Sequence, residues 1–92
     1  MESVASVAYY SPEQYALLLK LADDRENLHD TWQEWVAEYA RARATIEAGG
    51  LKTQAFNVDV RQMVEYFKKQ GKKNISANRA TYVSEITNLF GA

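Results

Sequence analysis

The hydrophobic positions of this chain recur with helical spacing most clearly between Leu28 and Ala48. Six apolar residues follow one another there at steps of four and three, which keeps them on one face of an α-helix. We call this face the aromatic stripe, and its members are Leu28, Trp32, Trp35, Tyr39, Ala42 and Ile46. Gly49 and Gly50 end the pattern, because glycine readily adopts the left-handed conformation that closes a helix. The pattern predicts a helix over 28–48 whose aromatic stripe lies in the core.

A second apolar pattern precedes the long helix. Ser11 suits the cap position, and Pro12 suits the first helical position because the N–H that proline lacks has no partner there. A helix is therefore predicted over 12–22. The acidic run that follows breaks the apolar pattern. Either Asp24 or Asp30 is predicted to cap the long helix, because acids favour a helix N-terminus.

Two patterns in the second half of the chain predict two more helices. Asp59 is predicted to cap a helix over 60–70, and Gly71 is predicted to stop it. Ser76 is predicted to cap a helix over 77–90. The apolar side of this last helix carries Tyr82, Val83, Ile86, Leu89 and Phe90.

Strand character is confined to two short segments. Residues 53–58 include Phe56 and Val58 on one face of a strand, and residues 4–9 have weaker strand character. A strand alone would leave its backbone N–H and C=O groups unpaired. Two pairings are open: residues 53–58 pair with residues 4–9 of the same chain, or with their own copy in a second chain. Either pairing predicts a mostly helical α+β fold with four helices and a small sheet, in a single domain over 1–92.

Composition limits the function classes. The chain has 92 residues, of which 47% are hydrophobic and 25% charged, as in one folded globular domain. Because it contains no cysteine, disulfides, thiolate zinc sites and cysteine nucleophiles are excluded. No apolar run is long enough to cross a bilayer, and the N-terminal segment lacks the basic region of a signal peptide. We therefore expect a cytoplasmic protein with no membrane partner.

Charge is divided unevenly along the chain. Residues 1–47 carry nine acids and four bases, and residues 48–92 carry three acids and seven bases, so the halves have net charges of −5 and +4. Asp30, Glu34 and Glu38 recur at every fourth position on the outward side of the long helix, where like charges repel. We call these three residues the acidic row. A solvated surface is the default interpretation of such a row, and contact with a basic partner is the alternative that the repulsion favours.

Arg79 is the most unusual charged residue of the pattern. On a helical wheel it falls among Tyr82, Val83 and Ile86, on the apolar side of the last helix. A charge in that position must extend to solvent or be neutralised by an acid. The acidic row is the predicted source of that acid, and the row and Arg79 together form a possible partner contact.

A nucleic-acid-binding alternative rests on the basic second half. Four lysines surround Gly71, and the helices on either side of it form a helix–turn–helix-like unit. Asn78 and Arg79 are residue types that recognise base edges. Against this alternative, the whole chain has a net charge of −1, and the connector after Gly71 is longer than the usual tight turn. The possible contacts are Lys68, Lys69, Lys72, Lys73, Asn78 and Arg79.

Patterns for catalysis or metal binding are scarce. His29, the single histidine, follows Glu26 at the Glu-x-x-His spacing of carboxylate-bridged dimetal sites. Such sites need a second pair and two further glutamates, which the sequence does not supply. It also has no serine in a recognisable triad and no glycine-rich phosphate loop. We expect neither an enzyme nor a bound metal or cofactor.

Several segments of the chain resemble a family of small, uncharacterised bacterial proteins. These segments are Leu21 to Leu28, the pairs Thr31-Trp32 and Glu34-Trp35, Val58-Asp59, and the run Arg79-Ala80-Thr81-Tyr82-Val83. The family carries no assigned activity. The resemblance therefore implies a bacterial, cytoplasmic protein and indicates no mechanism.

Three functions are compatible with these patterns. The leading prediction is a protein–protein interaction or oligomerisation domain that forms a homodimer, because the chain is short, its strand needs a partner and its halves carry opposed charges. The alternative is a nucleic-acid-binding domain that uses helix 77–90 and the lysines of 68–73. A third function is a small-molecule pocket lined by Trp32 and Trp35, although their place in the aromatic stripe favours a core position.

Overall fold

The computed structural model of the protein describes residues 4–91, and the side chains of residues 4–87. Its elements are β1 (Val4–Tyr9), α1 (Pro12–Leu21), a 3₁₀ helix (Arg25–Asn27), α2 (Trp32–Ala48), β2 (Lys52–Asn57), α3 (Val60–Gln70) and α4 (Ser76–Gly91). The predicted mostly helical α+β fold is confirmed. Leu89 and Phe90, predicted for the apolar side of the last helix, lie outside the described side chains.

The two strands pair within the chain and run parallel. Their register runs from Val4 opposite Lys52 to Tyr9 opposite Asn57. A parallel pair needs a long crossover connection, and α1 and α2 supply it. Of the two pairings that the sequence left open, the intramolecular one is therefore present. The second strand spans 52–57, one residue earlier than predicted, and Val58 still donates its N–H to the carbonyl oxygen of Tyr9 at 3.0 Å.

Three of the predicted helix boundaries follow from caps in the local sequence. The hydroxyl of Ser11 accepts a hydrogen bond from the Gln14 N–H at 3.2 Å, and Pro12 opens α1. The carboxylate of Asp59 accepts from the Gln62 N–H at 3.1 Å and starts α3. Gly71 ends α3 with a φ of 65°, a left-handed conformation that side chains disfavour.

The start of α2 was predicted wrongly. The helix begins at Trp32 rather than Leu28, and its cap is Thr31 rather than Asp24 or Asp30. The Thr31 hydroxyl accepts from the Glu34 N–H at 3.1 Å and also pairs with the Glu34 carboxylate at 2.9 Å. This side-chain pair at the N-terminus resembles a capping box, and it fixes the helix start four residues after the predicted one.

The centre of the core lies away from α2. Tyr15 and Leu18 of α1 and Val60 and Met63 of α3 are at most 1% exposed. The remaining buried hydrophobic residues are Tyr10, Val58, Phe67, Tyr82 and Val83. In the core, α1 packs against α3, and the start of α4 closes the cluster.

The aromatic stripe meets only the edge of this core. Leu28, Trp32 and Trp35 are half-buried and pack against it, and no residue of α2 is fully buried. Tyr39 and Ile46 are half-buried but do not pack against the core cluster. The prediction that the whole stripe lies in the core is therefore correct only in part: Leu28, Trp32 and Trp35 reach the edge of the core. Helical periodicity identifies an apolar face of a helix, but it does not identify what covers that face.

The sheet has helices on both faces. Tyr9 packs against Trp35 and Tyr39 of α2, with ring centroids 5.8 and 5.4 Å away. On the opposite face, the side chain of Gln54 donates to the Ser6 hydroxyl at 3.2 Å, and Ala80 and Ser84 of α4 border the same region. The strand β1 therefore runs between α2 and α4.

Candidate functional site

Arg79 is buried and paired with Asp24. Its Nη1 and Nη2 donate to Asp24 Oδ1 and Oδ2 at 2.9 and 2.8 Å, a two-point contact, and both side chains are 7% exposed. Nη1 also donates to the backbone and side-chain oxygens of Asn74, both at 3.0 Å. We call Asp24, Asn74 and Arg79 the latch. The latch satisfies the requirement that a buried charge be paired and hydrogen-bonded.

The latch also starts α4. Asp24 Oδ2 accepts from the Ser76 N–H at 2.9 Å, so Ser76 is the first helical residue and not the cap predicted from its sequence. Asp23 Oδ2 accepts from the Asn74 N–H at 2.8 Å. Asp24 thus caps α4 from 52 residues away, and Asp23 holds the segment that leads into the helix. An acid distant in sequence satisfies the N-terminus of this helix.

The pKa of Asp24 reflects two opposed influences. Burial raises the pKa of this carboxyl, but the hydrogen bonds and charge of Arg79, together with the Ser76 N–H, outweigh burial. The pKa therefore lies below its ordinary value. Asp24 is ionised at neutral pH and neutralises Arg79.

The acidic row does not pair with Arg79, and the predicted contact between them is wrong. Asp30 pairs with Arg25 at 2.9 Å, Glu34 belongs to the Thr31 cap, and Glu38 pairs with Arg41 at 2.6 Å. The hydrogen bond and charge of Arg41 hold the pKa of Glu38 below its ordinary value. All three acids are exposed and find their partners locally in the sequence, so none needs to reach α4.

The residues predicted for nucleic-acid contact are not brought together. Lys68, Lys69, Lys72 and Lys73 are exposed around the C-terminus of α3, where the helix dipole favours bases. Arg79 is buried in the latch, where its Nη1 and Nη2 donate to Asp24 and Asn74. The Asn78 side chain donates to the carbonyl oxygen of Lys73 at 2.9 Å. Arg79 is therefore withdrawn from the exposed lysines, whereas Asn78 lies beside Lys73.

An open groove of about 420 Å³ separates α2 from α4. We call it the α2–α4 groove. One wall carries most of the aromatic stripe: Leu28, Trp35, Tyr39, Ala42 and Ile46. The opposite wall carries Ser76, Arg79, Ala80 and Val83 of α4. Its volume lies in the usual range for ligand and peptide sites, roughly 300–1,000 Å³.

The floor of the groove is the free edge of β1. Three consecutive residues, Ser6, Val7 and Ala8, border it. Because successive side chains of a strand point to opposite faces, a run of three consecutive residues presents the edge of the strand rather than one face. The groove therefore runs along backbone as well as side chains.

Backbone groups point into this groove. The Tyr9 carbonyl accepts from the N–H of Val58, the residue that follows β2. In a parallel pair both backbone groups of a residue point the same way and successive residues alternate, so Ser6 and Ala8 point away from β2. Within residues 4–91, no hydrogen bond reaches their backbone N–H or C=O from outside the sheet. One position further, the Tyr10 carbonyl accepts from the Trp32 indole N–H at 2.9 Å.

The groove is close to neutral. Burial raises the pKa of the Tyr10 hydroxyl to about 12, which keeps it protonated, and Arg79 is neutralised by the latch. Among residues 4–87, whose side chains the structure describes, Glu38 is the one acid that lines the groove. Trp35 lines the groove and Trp32 does not, so the two tryptophans do not form the common pocket that the sequence allowed.

No constellation for catalysis or metal binding accompanies the groove. In the part of the chain that the structure describes, no group of three or more histidine, cysteine, aspartate or glutamate side chains is arranged to hold a metal ion. His29 is exposed and does not line the groove. The described helices are also too short or too polar to cross a membrane.

Sequence patterns missed three parts of this site. Asp24 joins Arg79 from 55 residues away, and Asn74 lies five residues before Arg79, in the connector outside the helix. Helical periodicity identifies neither partner. The free edge of β1 depends on which strand lies next to it, and the sequence left that open. The available signal was Arg79 itself, because a charge on an apolar helix face requires a buried acid.

Comparison of the chain with protein-family models, with curated proteins and with solved structures finds no match. The resemblance to small bacterial proteins therefore stays a prediction, and the geometry of the chain itself carries the functional argument.

Proposed function

We propose that this protein is a protein–protein interaction domain and that the α2–α4 groove is its interaction surface. One observation carries the proposal: the aromatic stripe, the longest apolar pattern in the sequence, faces an open groove over most of its length. Contiguous exposed apolar surface is typical of sites that bind another molecule. Tyrosine and tryptophan, which supply much of this wall, are favoured at protein interfaces.

The proposal includes self-association but no longer depends on it. The strand that needed a partner has one in its own chain, so that argument for a homodimer falls away. The partner is a second copy or another protein. A bacterial, cytoplasmic setting remains part of the proposal. The bacterial origin rests on the resemblance in sequence, and a chain without cysteine is compatible with a reducing compartment.

Site-specific photo-cross-linking in the organism's own cells tests the proposal. A photoreactive amino acid replaces Ala42, which is exposed in the groove wall, or Ala44, which is exposed on the same helix and does not line the groove. Both positions lie within α2, so the two variants form a matched pair. We expect protein adducts from position 42 and none of them from position 44.

The size of the adduct identifies the partner class. An adduct with twice the mass of the chain indicates a homodimer, and a different mass indicates another protein. Either result supports the proposal. Equal adduct patterns from the two positions, or no protein adduct from position 42, would overturn it.

A further inference from the structure

The two outer edges of the sheet are treated differently. Along the β2 edge, Arg43 Nε donates to the Thr53 hydroxyl at 2.7 Å, and Arg43 Nη2 donates to the Thr53 carbonyl oxygen at 3.4 Å. The Thr53 hydroxyl also pairs with the Glu47 carboxylate at 2.7 Å. Charged side chains of this kind protect a strand edge against pairing with another chain.

The β1 edge carries no such protection. Its sequence, Val-Ala-Ser-Val-Ala-Tyr over residues 4–9, contains no charged residue and no proline. The backbone groups of Ser6 and Ala8 point from this edge into the α2–α4 groove. An edge that is apolar, uncharged and flanked by a groove is a template for strand addition.

We propose that the groove binds an extended segment of another protein, which adds to the β1 edge as a third strand. This inference rests on the proposed function and specifies its partner. An extended segment supplies backbone N–H and C=O groups in register with Ser6 and Ala8. A bound helix uses its own backbone groups internally, and a small apolar molecule has none to offer, so neither satisfies this edge.

The walls define the side chains of the segment. Alternate residues of an added strand point toward α2 and toward α4. They meet Tyr39 and Ala42 on one side and Ala80 and Val83 on the other, so both sets of side chains are apolar. Charge complementarity adds one feature: Glu38 lines the α2 wall, and its carboxylate, which accepts from Arg41 through Oε2, pairs through its other oxygen with a lysine or arginine in the segment.

A second copy of the chain does not fit this description. Its own β1 strand is uncharged, and that strand comes with its own α2 and α4 on either face. Strands pair about 4.8 Å apart, whereas packed helices need about 8–10 Å between axes. In a symmetric pairing of two β1 edges, the helices that line one groove would compete for space with those of the other copy. A single extended segment brings no helices of its own.

Selection from a displayed library of random twelve-residue peptides tests the inference. The targets are the wild-type protein, Ala42→Arg, which places a long charged side chain in the groove, and Ala44→Arg as the matched control. We expect selected peptides with alternating apolar residues and one basic residue. They should bind Ala44→Arg like wild type and bind Ala42→Arg at least about tenfold more weakly.

Backbone methylation of a selected peptide then tests strand addition itself. Two versions carry N-methyl groups on odd or on even residues, so that only one version keeps the amides that face β1. We expect one version to bind like the parent and the other to lose binding. We also expect the parent peptide to shift the NMR amide signals of Ser6 and Ala8.

Two results would overturn the inference: no peptide that distinguishes wild type from Ala42→Arg, or equal binding of both methylated versions. In either case, specific cross-linking from position 42 would leave the interaction domain itself standing. The occupant would then be a helix, a second copy or a folded surface.

Discussion

The latch and the α2–α4 groove share Arg79, yet they are opposites in physical character. In the latch, the side chains of Arg79 and Asp24 are each 7% exposed, and four hydrogen bonds hold the guanidinium. In the groove, apolar side chains of α2 and the outward backbone groups of β1 face open space. The latch is buried and its charged groups are paired within the protein, whereas the groove leaves apolar side chains and backbone groups uncovered.

This difference separates stability from binding. The latch joins the connection after α1 to the start of α4, and α4 forms one wall of the groove. Substitutions in the closed region should therefore reduce stability, and substitutions along the open wall should leave the fold intact.

Loss of the latch should cause the largest decrease in the free energy of unfolding. Arg79→Met removes one partner of a buried ion pair and leaves Asp24 charged and buried. We expect the free energy of unfolding to fall by about 3–5 kcal/mol, measured by urea denaturation. Arg41→Met, which removes the exposed pair with Glu38, is the control and should cost less than about 1 kcal/mol. Similar costs for the two variants would contradict a structural role for the latch.

Truncation of a core residue should reduce stability more than truncation of a residue in the groove wall. Met63 is 0% exposed, and Met63→Ala should cost about 2–5 kcal/mol in urea denaturation. Ile46 is half-buried in the groove wall, and Ile46→Ala should cost about 1 kcal/mol or less. If Ile46→Ala cost as much as Met63→Ala, the stripe would belong to a closed core.

Acid should weaken the latch. Because the pKa of Asp24 is lower in the folded protein than its ordinary value of about 3.9, its contribution to stability is present above about pH 4. This contribution is lost as the pH falls through the folded-state pKa. We expect the free energy of unfolding to decline below pH 4, and less steeply in Asp24→Asn. An NMR titration in which the Asp24 carboxyl protonates at or above its ordinary pKa would contradict this assignment.

The sequence predicted those elements whose signals are local. The boundaries of α3 followed from Asp59 and Gly71, and the start of α1 followed from Ser11 and Pro12, because caps act within one helical turn. The start of α2 was predicted wrongly because Asp24 and Asp30, the two caps that the sequence analysis considered, are also residues that favour this role. The cap is Thr31, and its pair with Glu34 fixes the start of the helix.

The groove could be predicted only in part. The aromatic stripe could be recognised from the sequence as an apolar face, but the burial of its side chains depends on the position of α4. The position of α4 depends on Asp24, which is far away in sequence. Periodicity therefore identified the residues of the wall and could not distinguish a wall from a core.

Amide hydrogen exchange along β1, measured residue by residue by NMR, tests the central claim most directly. In a strand paired on one side only, alternate amides are bonded, so Val7 and Tyr9 should exchange slowly. Ser6 and Ala8, whose amides face the groove, should exchange nearly as fast as exposed amides. Equally slow exchange at all four residues would mean that the β1 edge is already covered, and would contradict the account of an open groove.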